Sequence, residues 1–127
     1  MCIRDRYESV IDSIVDSGID ANISIKPTAL GLLIDEKVAL SNIERIVRKA
    51  AENDIFVRLD MEDNRVTQAT IDAAVSIQNK GLENIGVVLQ GRMFRTPDDI
   101  SKVSNLLGNK SDFRTVSYTH LTLPTKA

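Results

Sequence analysis

Three apolar stretches of this chain each end in a side chain that can do chemistry. Residues 21–26 (ANISIK) close on Lys26, residues 55–60 (IFVRLD) on Asp60, and residues 85–90 (IGVVLQ) on Gln90. Lys26 offers a cation that can bind a carboxylate, form a Schiff base as an amine nucleophile, or simply bridge to Asp60. Glu62 and Asp63 follow Asp60, and such crowded acids invite a hard cation. Their spacing fits no EF-hand loop, however, and alternation along an extended chain lets only Asp60 and Glu62 share a face. Solvated loop acids are the commoner arrangement, and no metal site is expected. Gln90 carries a donor and an acceptor, suited to an amide or carbonyl edge or to a plain rim contact. Arg92 and Arg95, in the loop after it, suit phosphate or solvent. One cation, one anion and one amide make a polar site but name no reaction.

Strand ends gather such groups in parallel α/β folds, because helices cover the faces and the loops at the carboxyl ends are free to vary. The spacing predicts a helix over 7–17, with Val10, Ile11, Ile14 and Val15 on its buried side and Gly18 ending it. The strand over 21–26 is stopped by Pro27, which has no N–H for a ladder. Residues 28–34 (TALGLLI) read as an apolar loop packed over core or ligand. Asp35 caps a helix to about Asn53, in which Val38, Ala39, Ile43, Ile46, Val47 and Ala50 recur at helical spacing. After the strand over 55–60, a helix over 67–80 takes Gly81 as its C′ residue. Past the strand over 85–90, Thr96 serves as N-cap with Pro97 at the first helical position and Asp98 and Asp99 facing the positive end of the dipole. That helix runs to about Leu107, Gly108 ends it, and Phe113 opens a fourth strand.

A strand followed by a helix, repeated, argues for βα units and a parallel sheet with right-handed crossovers. The chain has no G-x-G-x-x-G after a strand and no G-x-x-x-x-G-K-[ST], which weakens an open nucleotide-binding sheet. Polar residues at three successive strand ends suit a barrel better. The expected fold is α/β, a partial (β/α)8 TIM-type barrel holding about three βα units of a longer parallel barrel.

The 127 residues, 43% hydrophobic and 27% charged, describe a globular chain of domain size. A net charge of −2 and an aromatic content of 4% without tryptophan provide neither a basic footprint nor stacking platforms, so nucleic acid is not an expected partner. No apolar run reaches the roughly 18 residues of a membrane span. The default placement is cytoplasmic.

Residues 1–6 (MCIRDR) and 116–127 (VSYTHLTLPTKA) do not continue the amphipathic pattern of their neighbours. Both resemble peptides translated from sequencing-adapter DNA, and such segments are set aside before fold reasoning. The expected division is therefore 1–6 and 116–127 of adapter origin, with 7–115 an internal piece of a longer protein. The sole cysteine, Cys2, and the sole histidine, His120, fall in those ends, so a Cys–His pair or a histidine ligand is not expected.

The words Ser24-Ile25-Lys26, Thr28-Ala29-Leu30-Gly31-Leu32, Val57-Arg58-Leu59-Asp60-Met61-Glu62-Asp63 and Gly86-Val87-Val88-Leu89-Gln90 resemble the proline dehydrogenase family. The resemblance extends through Phe94-Arg95-Thr96 and the acidic start of the next helix. It implies a distorted (β/α)8 barrel holding FAD at the carboxyl ends of its strands. The implied activity is oxidation of L-proline to 1-pyrroline-5-carboxylate, with electrons passed to a quinone or other acceptor and peripheral association at the inner face of the membrane. Lys26 then matches the lysine that helps hold the substrate carboxylate, Asp60 the active-site aspartate near flavin and substrate, and Gln90 the glutamine bonded to the isoalloxazine edge. Pro27 stands where many relatives have an aliphatic residue, and Arg92 where many have an aromatic. The family's later lysine–glycine strand, its flavin-side arginine and its terminal-helix tyrosine and paired arginines are absent, so the chain is expected to be inactive by itself. Two other readings stand beside this one: a Schiff-base lyase or aldolase barrel with Lys26 as nucleophile, and a non-enzymatic α/β interaction module.

Overall fold

The structure, a computed structural model, describes residues 2–107 and 113–116. The chain alternates helix and strand: α1 (Ile3–Ser17), β1 (Ile23–Ile25), a 3-10 turn at Pro27–Leu30, α2 (Glu36–Glu52), β2 (Val57–Leu59), α3 (Thr67–Gln78), β3 (Ile85–Gln90), α4 (Thr96–Leu107) and β4 (Phe113–Val116). The strands form one parallel sheet in the order β1-β2-β3-β4, with Ile23, Val57 and Ile85 in one row and Ile25, Leu59 and Val87 in another. Each strand lies beside the next in sequence, with no reversal of order, as in a barrel and unlike a doubly wound sheet.

Side chains alternate across a strand. The rows Ile23–Val57–Ile85 and Ile25–Leu59–Val87 share one core with Ile11 of α1, Ile43, Ile46 and Val47 of α2, Ile77 of α3 and Val103 of α4. All four helices thus cover one face. Each fully buried aliphatic side chain there contributes about 1.5–3 kcal/mol. The opposite face carries Ser24, Arg58, Gly86 and Val88. This is an arc of barrel wall, with helices outside and the other face turned to the lumen.

α2 begins as expected. Asp35 accepts hydrogen bonds from the backbone N–H of Lys37 (2.9 Å) and Val38 (3.2 Å), a cap that contributes about 1 kcal/mol. Other details differ from the pattern reading. α1 starts at Ile3, and it buries Ile11 alone while Val10 and Val15 remain exposed, because it touches its neighbours along a single narrow stripe. Val38 is likewise exposed, although Ala39 beside it is fully buried. α3 is capped at Asn79, and Gly81 adopts its left-handed φ of 91° two residues later, in the turn toward β3. The expected helix end at Gly108 lies outside the described residues, as does His120.

Charged side chains lace the outer helices. Arg45 pairs with Glu8 and Lys49 with Asp12 between α1 and α2, and Glu44 of α2 takes both Arg48 and Lys80, the latter beyond α3. Lys80 first, and then Arg48, hold the Glu44 carboxyl below its ordinary value of 4.5. A carboxyl lowered on folding stabilises the fold above its unfolded value, and that contribution is lost as pH falls through the folded one. Glu44→Gln is therefore expected to cost under about 1 kcal/mol at neutral pH, with the gap to the parent closing as pH drops below 4.5. Urea midpoints at pH 7 and in steps below 4.5 measure this; a gap independent of pH rules it out.

Candidate active site at the strand ends

Lys26 and Asp60 each lie one residue past the row Ile25–Leu59–Val87, and Gln90 ends β3 three residues past Val87. Alternation puts all three on the lumen side of the wall. Their elements stop here for local reasons. Pro27 opens a 3-10 turn directly after Lys26, and Gly31 closes it at φ 102°, a left-handed conformation that glycine adopts without strain. The backbone N–H of Asp60 donates to the Ile25 carbonyl at 2.8 Å, which continues the β1–β2 ladder as far as the site.

Lys26 Nζ lies 3.0 Å from Asp60 Oδ2. Of the roles open to this lysine, the bridge to Asp60 is therefore the one formed in the structure. Asp60 is the more sheltered partner, its side chain 26% exposed against 63% for Lys26. The phenol oxygen of Tyr7 accepts from the Lys26 backbone N–H at 3.3 Å, which brings α1 to the site. Gln90 donates through Nε2 to the carbonyls of Met61 (3.3 Å) and Glu62 (3.1 Å), which fixes the orientation of its amide. Below Asp60 on the same face, the Arg58 guanidinium lies over the Phe56 ring, 5.1 Å from its centroid.

The acids after Asp60 have separate partners. Glu62 takes both the N–H and the hydroxyl of Thr28. It is a structural tie and not the solvated loop acid expected. Asp63 pairs with Arg65 at 2.8 Å, and that guanidinium holds its carboxyl below the usual range. Arg95 pairs with buried Asp99 at 2.6 Å and also bonds Gln68, so it secures α4 against α3. Arg92 is exposed on the loop after β3. Thr96, expected as a helix cap, is already helical and buried, and its hydroxyl donates to the Gln90 carbonyl. Pattern reading missed Thr28, Tyr7 and this role of Thr96. The one signal available for Thr28 was that Glu62 shares a face with Asp60 and so needs a partner across the β1–β2 gap.

A parallel wall of this kind, with an ion pair and an oriented amide at its carboxyl edge, belongs to a barrel protein with a candidate site at the ends of its strands. The family model described as proline dehydrogenase matches residues 3–115. Proline dehydrogenase 2 of Bacillus subtilis (strain 168) is 34% identical over 106 residues, covering 81% of this chain and 35% of that protein. Proline dehydrogenase of Deinococcus radiodurans is 32% identical over 109 residues, covering 83% of this chain and 35% of that protein. Among solved structures, proline utilization A from Bdellovibrio bacteriovorus, inactivated by N-propargylglycine, superposes with a TM-score of 0.79 at 18% identity, over 96% of this chain and 16% of that one. The chain belongs to the proline dehydrogenase family, a family of flavin-dependent oxidoreductases. It spans about a third of the length of these curated relatives. Among the described residues, no helix is long and apolar enough to cross a membrane.

Proposed function

We propose that this chain is part of an enzyme that oxidises L-proline to 1-pyrroline-5-carboxylate with FAD as its cofactor, delivering the electrons to a quinone or another acceptor. The observation that carries the reading is the Lys26–Asp60 pair beside Gln90, at the strand ends of a chain from this family. Proline is a zwitterion, and the pair is complementary to it: Lys26 takes the carboxylate and Asp60 the ammonium. Binding thus exchanges one internal ion pair for two external ones without leaving a charge unmatched. Gln90 suits the cofactor. Its Nε2 is held by two carbonyls, and among the described residues no donor reaches Oε1, which leaves an acceptor for a ring N–H at the pyrimidine edge of a flavin. The flavin, when bound, supplies the two-electron oxidation of the carbon next to the proline nitrogen.

A Schiff-base role for Lys26 gains no support. An amine nucleophile needs desolvation or a neighbouring cation, whereas this ammonium is exposed and faces a carboxylate. Within the same proposal, residues 7–115 are the enzyme's own sequence, and 1–6 and 116–127 are adapter-derived. The family match ends at Thr115, although it begins at Ile3, and α1 and β4 run across both boundaries. Sequencing the source DNA across the codons for Arg6 and Thr115 checks this division. A quinone acceptor would place the complete enzyme in the cytoplasm, peripheral to the inner face of the membrane.

The test is anaerobic addition of proline to the flavin-loaded, complete enzyme that carries this segment. Bleaching of the flavin absorbance with matching formation of the imine is expected, and a spectrum indifferent to proline overturns the reading. The 127-residue chain alone is expected to show no proline oxidation.

A further inference from the structure

Glu62 differs from the acids on either side of it. Asp60 pairs with a lysine and Asp63 with an arginine, but Glu62 takes two uncharged donors from one residue. Its Oε2 accepts the Thr28 backbone N–H at 2.9 Å, and its Oε1 accepts the Thr28 hydroxyl at 2.5 Å. Thr28 sits in the 3-10 turn that begins one residue after Lys26. The main-chain carbonyl of Glu62, with that of Met61, meanwhile receives the Gln90 amide. One residue therefore grips the chain leaving β1 through its carboxylate and the end of β3 through its backbone.

We propose that Glu62 is a positioning residue that sets the separation of Lys26 and Gln90, and hence of the substrate carboxylate from the flavin edge, while touching neither. The inference rests on the dehydrogenase reading of the site. Hydrogen bonds to an ionised carboxylate are about twice as strong as neutral ones, and two from one residue fix its orientation as well as its distance. Lys26 needs this support. Its side chain is 63% exposed, so its bridge to Asp60 and the course of its backbone together place the ammonium. Displacing a charged binding group by about 1 Å is enough to lose orientation at a reacting centre.

The test uses the complete flavin-loaded enzyme. Thr28→Val keeps the shape and removes the hydroxyl, Thr28→Ser keeps the hydroxyl, and Glu62→Gln sets an NH2 group against a Thr28 donor. Thr28→Val is expected to lower kcat/KM for proline about tenfold, with part of the loss in kcat, and Thr28→Ser to stay within about twofold. Combining Thr28→Val with Glu62→Gln should do less than the product of the separate effects, because both break one contact. Amide exchange at Thr28 should quicken in Glu62→Gln while that of Val87, within β3, does not. A parental kcat/KM in Thr28→Val, or independent effects in the double variant, overturns the proposal. If the parent enzyme shows no proline-dependent flavin reduction, the dehydrogenase reading falls instead, and the exchange comparison still decides whether Glu62 holds the turn.

Discussion

Asp60→Asn is expected to lower kcat/KM for proline about a hundredfold in the complete enzyme, with the loss divided between KM and kcat. The substitution keeps the shape of the side chain and removes its charge. Two consequences follow, the first from the proposed role of Asp60 and the second from the geometry. The ammonium of proline loses its anion, and Lys26, 3.0 Å from Asp60 in the structure, loses the partner that holds it in place. Lys26→Met should cause a loss of similar size by removing the cation for the carboxylate. Because the two residues act as a pair, the double variant should lose clearly less than the product of the single effects. Steady-state kinetics on the four proteins measures this. Undiminished turnover in Asp60→Asn would remove Asp60 from the site.

The largest effect on stability is expected at the residue just before it. Leu59 is fully buried, between Ile25 and Val87 in register, with the helices packed over it. Leu59→Ala removes most of a side chain from that layer and leaves a cavity that strands and helices can close only in part. The expected cost is about 2–5 kcal/mol, a large share of a domain's whole stability. Val38→Ala is the matched control. Val38 has the helical spacing of a core residue but is exposed, and its truncation should fall within about 0.5 kcal/mol of the parent. Urea unfolding of both variants against the parent separates the outcomes. Equal costs would mean that the helices do not pack on the Leu59 face.

The parts of this structure visible in the sequence are those where one physical pattern dominates. β3 is legible to the residue because Ile85 to Leu89 are buried on both faces, which gives an unbroken apolar run bounded by loop residues. β1 and β2 are buried on one face only, and both proved shorter than their apolar runs. Asp35 was legible because a cap acts on the residues next to it. Helical spacing puts Val10, Val15 and Val38 on buried faces although they are exposed, because it tells which residues share a stripe but not how wide a stripe the neighbours cover. The site divides in the same way. Lys26, Asp60 and Gln90 stand at the ends of recognisable strands, so their company could be foreseen. The bonds from Glu62 to Thr28 and from Thr96 to the Gln90 carbonyl join loops from different units, and no periodicity encodes such a meeting.

The order of the strands also bears on how this wall assembles. Every strand pairs with the one immediately next in sequence, so each ladder closes over a single intervening helix. The entropy of closing a loop rises only with the logarithm of its length. Each addition therefore meets nearly the same barrier, and the wall can grow from any pair of neighbours. Joining the first strand of a barrel to its last is the one step that must span the whole chain. Contacts between distant parts of the sequence form slowly, so that seam is where folding of the complete enzyme would wait.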